Sequence, residues 1–322
     1  MFAVTADRID KDDPLSGLGL GERPDPTPPE GWVTVEVRAA ALNHHDLWTL
    51  KGVGISPDRL PIILGADAAG LDEDGREVIV HAVIGDAPPG GDETLDPRRS
   101  LLSEVYDGTL AERVAVPRHN LVPKPAGLSW VEAACLPTAW LTAYRMLFSR
   151  SGLRSGDTVL VQGAGGGVAT ALIALGKAGG FRVWTTSRDE AKRERALDLG
   201  ADAAYEPGTR LPERVDAVME TVGQATWDHS LKSLKPGGRI VICGATSGAN
   251  PPADLNRVFF LQLSVIGSTM VSREELVELA DFCVRTGVRP LIDSSFALRD
   301  ARSAFERLAS GDAFGKIVLT ND

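Results

Sequence analysis

The chain has 322 residues, 43% hydrophobic and 24% charged, with a formal net charge of −10 at pH 7. That length suits two globular domains, and the composition is that of an ordinary soluble protein. The negative charge, with no stretch that gathers Lys and Arg, argues against nucleic acid and membrane surfaces as partners, and no run reaches the about 18 apolar residues of a membrane span. The opening Met1-Phe-Ala-Val-Thr-Ala-Asp-Arg8 lacks a basic region followed by an apolar run, so a cytoplasmic location is expected. Cys135, Cys243 and Cys283 lie far apart without metal spacing and read as buried thiols.

In chain order, Trp32-Val-Thr-Val-Glu-Val-Arg38 alternates apolar and polar residues as a half-buried strand does, and Glu77–Val83 and Leu110–Val116 follow the same pattern. Asp86–Arg99, rich in Pro, Gly and Asp, is predicted to be a surface lobe. These features predict an antiparallel, barrel-like β domain. At Ser129 the texture changes. Ser129 and Glu132 have capping-box spacing, and helical stretches run to about Ser151. Strands are then predicted at Thr158–Gln162, Phe181–Thr186, Val215–Glu220, Arg239–Cys243 and Ser264–Gly267, alternating with helices as in a parallel sheet covered on both faces. Gly200 is placed to end the helix Asp189–Leu199. A helix (Ser272–Arg285), a strand (Leu291–Phe296), a second helix (Arg299–Ser310) and a final strand (Gly315–Leu319) are expected to return to the first domain. The expected boundaries are 1–128 with 270–322 for the first domain and 129–269 for the second.

The stretch from Thr158 to Lys192 carries the most chemistry. An apolar strand, a glycine turn, a helix (Val168–Lys177) and a second apolar strand form a βαβ unit of the kind that holds a dinucleotide pyrophosphate. Glycine lets the backbone approach the phosphates, and the N–H groups and dipole of the helix start face the anion. The contacts are therefore placed at Gly163, Gly165, Gly166, Gly167 and Val168. NAD enzymes carry an acid at the end of the second strand to bond the ribose 2′-OH. Here Ser187 and Arg188 stand there, with Lys192 one helical turn on. Cations at a helix start oppose its dipole unless an anion binds, and they suit a 2′-phosphate, so NADP(H) is the expected cofactor.

Several segments carry a family resemblance: Ala41-Leu-Asn-His-His-Asp-Leu-Trp48, Leu64-Gly-Ala-Asp-Ala-Ala-Gly70, Asp107–Glu112, Leu141-Thr-Ala-Tyr144, the glycine turn, Lys235-Pro-Gly-Gly-Arg239 and Gly315-Lys-Ile-Val-Leu319. Across nearly its whole length the chain resembles the medium-chain dehydrogenase/reductase superfamily. The resemblance implies an α/β protein: a GroES-like β-barrel catalytic domain plus a Rossmann doubly wound parallel-sheet domain, with cofactor and substrate in the cleft between them. It further implies His44 and Lys316 as cationic partners of the pyrophosphate, Thr142 against the nicotinamide, and Gly244 and Ala245 as backbone contacts beyond the fifth strand. A plain surface role for Lys316 stays open.

The zinc enzymes of this superfamily have Cys at the position of Asn43, His at Ala66 and a Cys or acid near Thr138; an amide, a methyl and a hydroxyl do not make a zinc shell, so no metal is expected. Structural zinc in the family takes four cysteines from the lobe that here is Asp86–Arg99, which has none. A hydrogen-bond donor must then replace the Lewis acid. Asn43 stands at a lost ligand position, and His45 stands where the zinc enzymes carry a proton-relay hydroxyl; both are candidate catalytic residues, with a packing role open for each. Asp46 is expected to tether backbone, a pairing of Asp67 with His45 is the weaker alternative, and Trp48 stands where quinone-oxidoreductase relatives often carry Tyr. The implied activity is NADPH-dependent, zinc-independent hydride transfer to a small carbonyl, enone or quinone. The alternatives are a zinc-type alcohol dehydrogenase and a non-catalytic NADPH-binding structural or sensing protein. By analogy with relatives, a homodimer is expected through the exposed edge of Ser264–Gly267.

Overall fold

The computed structural model describes residues 1–85 and 91–321. The chain divides into two compact units, Met1–Leu141 with Met270–Asp322, and Thr142–Thr269.

In the first unit the main sheet runs in the order Leu121–Pro123, Glu77–Val80, Asp67–Leu71, Trp32–Ala41, Lys316–Thr320, Ile292–Ala297, with Arg113–Pro117 also paired to the Trp32–Ala41 strand. Its pairs are antiparallel except the last, which is parallel. The alternation read from Trp32–Arg38 points Val33, Val35 and Val37 into the core, where they meet Val78, Val80, Leu110 and Phe305. A smaller sheet joins Leu18–Glu22, Phe2–Ala6 and Ile62–Ile63. The C-terminal segment returns to this unit as expected, Val318 to Thr320 pairing with Ala41 to Ala39. Of the predicted lobe, residues 86–90 lie outside the described residues. The remainder holds the turn Glu93–Leu95 and the strand Ser100–Leu101, which pairs with Val83–Ile84.

In the second unit the described residues form a parallel sheet in the order Ala203–Tyr205, Arg182–Thr186, Thr158–Val161, Val215–Glu220, Leu234–Ile242, Ser264–Gly267. In chain order that is 3-2-1-4-5-6, the doubly wound arrangement. The central strands Arg182–Thr186, Thr158–Val161 and Val215–Glu220 are buried almost throughout, as in a sheet covered on both faces, whereas the edge strand Ser264–Gly267 is largely exposed. Ala203–Tyr205 was not expected from the sequence: it is three half-buried residues long and shows no usable periodicity. Gly200 closes the Glu190–Leu199 helix at φ 119°, in the left-handed region that favours glycine.

The expected boundary at residue 128 moves to Leu141. Ser129 and Glu132 do form the capping box, but the helix they start, Trp130–Ala134, packs on the strands Trp32–Ala41 and Asp67–Leu71 of the first unit. Leu136–Trp140 and Arg145–Arg150 continue it as π-helical segments, and the division falls within this continuous helical run, where sequence texture does not change.

Candidate cofactor site and a buried polar cluster

The glycine turn of the second unit leaves the Thr158–Val161 strand next to Val215–Glu220, where the strand order reverses and α/β sheets bind ligands. Gly163 has φ +94°, so a side chain there would be strained. Gly166 is the N-cap of the helix Gly167–Ala178, has no side-chain cap, and a Cβ built on it would meet nothing within 4 Å. With Gly166 exposed, Gly167 and Val168 half-buried and no N-cap side chain on the first turn, this helix start has the form of a phosphate cradle. The buried Gly165 completes the turn. The residues present fit a dinucleotide.

At the end of the next strand Ser187 is half-buried and Arg188 exposed, and Asp189 caps the following helix by accepting from the Lys192 N–H at 3.2 Å. The sequence reading missed Arg193, whose guanidinium donates to the Ser187 carbonyl at 2.7 Å and lies 3.6 Å from Glu206. The signal was its place one helical turn beyond Asp189. Gly244 and Ala245 follow the strand Leu234–Ile242 and are half-buried, so they share the C-terminal side of the sheet with the turn; Thr142 is buried at the start of this unit.

In the first unit Asn43 caps the helix His44–Leu50. Asp46 tethers backbone as expected, taking the Asn43 N–H at 2.8 Å and the Gly65 N–H at 3.0 Å. Burial pushes its carboxyl above the usual range, the Asn43 N–H and the charges of His45 and Lys316 oppose that, and Asp67 adds to it.

Lys316 is neither a surface lysine nor an open anion partner. Its side chain is 2% exposed, and the ammonium donates to the Leu42 carbonyl (2.7 Å), Asn43 Oδ1 (2.7 Å) and Asp67 Oδ2 (3.2 Å). Asn43 Nδ2 also donates to Asp67 Oδ2, at 2.9 Å. An ammonium has three donors, so none remains for a pyrophosphate in this arrangement. Asp67 therefore pairs with Lys316, and His45 finds another partner: its Nε2 lies 3.0 Å from Glu104 Oε1. Burial works against the His45 charge, but the Glu104 hydrogen bond and the carboxylates of Asp46, Glu104 and Asp67 outweigh it and raise its pKa above 6.5. No motif marks Glu104, which follows Ser103, itself held at φ 68° with its N–H on the Tyr106 carbonyl. His44 is exposed at its surface, yet crowding by neighbouring atoms and then the charges of Lys316 and Lys51 push it below the ordinary histidine value.

A catalytic zinc does not fit this donor set. Asn43 Oδ1 is committed to a cation, Ala66 offers a methyl and Thr138 a hydroxyl, and among the described residues no group of three or more His, Cys, Asp or Glu is gathered for a metal. Cys135 is fully buried, its thiol pushed up to about 12 by that burial, so it stays protonated.

Residues 29–126 match the family model of the alcohol dehydrogenase GroES-like domain, and residues 167–285 that of the zinc-binding dehydrogenases. Acryloyl-coenzyme A reductase of Metallosphaera sedula is 31% identical over 94% of this chain and 96% of its own. The chain belongs to the medium-chain dehydrogenase/reductase superfamily. Among solved structures, an NAD-dependent alcohol dehydrogenase is 35% identical with a TM-score of 0.92, each chain covered over 100%. A 2-octenoyl-CoA carboxylase reductase in complex with NADP and 2-octenoyl-CoA is 25% identical with a TM-score of 0.90, covering 99% of this chain and 87% of that one. As a superfamily member the protein is an oxidoreductase whose Rossmann unit binds NAD(P). Among the described residues no helix is long and apolar enough to cross a membrane.

Proposed function

We propose that the protein is an NADPH-dependent, zinc-independent reductase of a small α,β-unsaturated carbonyl compound. The observation that carries this reading is His45 held by Glu104: an acid with a raised pKa, in a unit where Asn43, at a would-be metal-ligand position, is bound by a lysine ammonium instead. Bound NADPH would supply the hydride. A conjugated acceptor takes hydride at its β-carbon, and the electron pair of the double bond moves toward the carbonyl to give an enolate. That charge needs hydrogen-bond donors rather than a Lewis acid. The α-carbon then takes a proton, which His45 is poised to give near neutral pH. An unconjugated aldehyde or ketone asks more of a metal-free site, because the full charge stays on one oxygen. A quinone remains within reach of the same chemistry. The similarity to enzymes named acryloyl-CoA and crotonyl-CoA reductases favours the enone, and Ser187, Arg188, Lys192 and Arg193 in place of an acid favour the 2′-phosphate of NADPH.

The test is oxidation of NADPH and NADH by purified protein with enoyl thioesters, enones, quinones and aldehydes, alongside metal analysis. Turnover of enones with NADPH by zinc-free protein is expected. Stoichiometric zinc with alcohol or aldehyde turnover would establish the zinc-type alcohol dehydrogenase instead. Tight NADPH binding without turnover of any acceptor would establish a binding protein.

The active form in this reading is a homodimer. The strand Ser264–Gly267 ends the sheet with an unpaired edge, and Phe259 and Phe260 beside it are 65% and 81% exposed. An edge of this kind is self-complementary across a two-fold axis.

A further inference from the structure

A directed chain of buried hydrogen bonds ends on the first glycine of the dinucleotide turn. It starts at the fully buried Glu220, whose side-chain oxygens accept from four donors. Its Oε1 takes the N–H groups of Val222 and Gly223 and the Thr226 hydroxyl, and Oε2 takes the Ser230 hydroxyl at 2.6 Å. With its proton on Glu220, the Ser230 oxygen accepts from Gln162 Nε2 at 3.0 Å. His229 Nδ1 accepts from the same amide nitrogen at 3.1 Å, while His229 Nε2 is 2.9 Å from the Thr209 carbonyl. These bonds fix which way the Gln162 amide faces. Its Oε1 must point to Thr186, whose hydroxyl donates to it at 2.8 Å. The Thr186 oxygen then has only lone pairs left, and it accepts the Gly163 N–H at 3.2 Å.

The opposite side of the same glycine is held as well. The Thr185 hydroxyl donates to the Gly163 carbonyl at 2.8 Å, and the Thr221 hydroxyl to the Gln162 carbonyl at 3.2 Å. Both peptide planes flanking the φ +94° residue are thus anchored by side chains at the ends of the two neighbouring strands, Arg182–Thr186 and Val215–Glu220. Gln162, Thr185 and Glu220 are fully buried and Thr186 is 1% exposed, so water does not substitute for any of these bonds.

We infer that Thr186, oriented by Gln162, is a positioning residue for the cofactor: it sets the plane of the Gly163 peptide and through it the aim of the amides that follow. It touches no phosphate itself, since its hydroxyl is committed to Gln162 and Gly163. The inference rests on the NAD(P) site alone and is independent of the substrate and of the choice between NADPH and NADH.

The test is Thr186→Val, which keeps the shape and removes the hydroxyl, with Thr186→Ser as the restoring variant. Dissociation constants for NADPH and for NADH are measured by nicotinamide fluorescence, with kcat at saturating cofactor. Thr186→Val is expected to weaken both cofactors by about three- to tenfold, the scale of one hydrogen bond. It should leave kcat within about twofold, while Thr186→Ser restores binding. Gln162→Met, which releases the Thr186 hydroxyl, is expected to weaken binding similarly, and the double variant no more than either single one, because both break the same chain. A lowered Tm with unchanged affinity for both cofactors, in Thr186→Val or, if that variant does not fold, in Gln162→Met, would show that the network only stabilises the unit and would overturn the inference. A loss confined to NADPH would overturn it too, because the turn serves the part common to both cofactors.

Discussion

Replacing Lys316 with Met tests whether its ammonium serves the inside of the first unit or a bound cofactor. The methionine stem fills most of the volume, so the perturbation is electrostatic. At 3.2 Å from Asp67 Oδ2, the attraction at an effective dielectric of 20 is about 5 kcal/mol. The pair is 2% and 0% exposed, so removing one partner leaves an uncompensated buried carboxylate, a change that destabilises by about 3–5 kcal/mol. In a unit of this size each kcal/mol moves Tm by about 2–4 °C, which places the Lys316→Met unit about 6–20 °C below the parent in thermal denaturation followed by circular dichroism. Removing the carboxylate as well should recover much of that loss, because an apolar pair of similar volume replaces an ion pair at little net cost. Lys316→Met with Asp67→Leu is therefore expected to be more stable than Lys316→Met alone, a coupling of at least about 2 kcal/mol. The competing account gives Lys316 to the pyrophosphate. It predicts a small change in Tm and a large rise in cofactor KM, and that pattern would refute the buried-cation reading.

Four shorter expectations follow from the same geometry. The Asp293 carboxyl is lowered from 3.8 to about 2, first by the paired hydrogen bonds of Arg307 at 2.9 and 3.0 Å against some burial, then by the Phe314 N–H. A folded-state pKa below the unfolded one stabilises above about 4, and that stability is lost as pH falls toward 2; Asp293→Asn should cost on the order of 1–2 kcal/mol at pH 7, screening at partly exposed Arg307 allowed for, and the gap should close in acid urea titrations. If His45 gives the proton, kcat/KM falls as pH rises through its raised pKa, and Glu104→Gln moves that limb toward lower pH; an unmoved limb excludes the pair from the proton step. Ser187→Asp with Arg188→Ala should weaken NADPH by about tenfold or more while sparing NADH, and equal losses for both would contradict the 2′-phosphate assignment. Phe260→Asp should shift the protein toward monomer in light scattering, whereas a parent that is already monomeric removes the dimer proposal.

What could be read from the sequence depended on how far apart the interacting residues are. The glycine turn and its flanking strands were legible because their signal is local: apolar runs bounded by glycines, with the helix start immediately after. The capping box at Ser129 and Glu132 was legible for the same reason, yet the unit to which its helix belongs was not, since that depends on strands about 60 and 100 residues upstream. The site shows the same division. His45 and Asn43 stand out by their place in one short segment, but Glu104, which raises the His45 pKa, is 59 positions away on a turn with no pattern of its own. Lys316 was legible as a cation and misread in direction, because two of its acceptors, Asn43 Oδ1 and Asp67 Oδ2, lie 273 and 249 positions distant. The chain from Glu220 to Gly163 is harder still. Glu, Gln and Thr at strand ends and a Ser in a helix look like ordinary polar residues, and their order as donors and acceptors exists only once four segments are folded together. A buried carboxylate at one end of such a chain gives every later hydroxyl and amide a single sense, so the information that orients the cofactor turn resides in the network and in no one of its members.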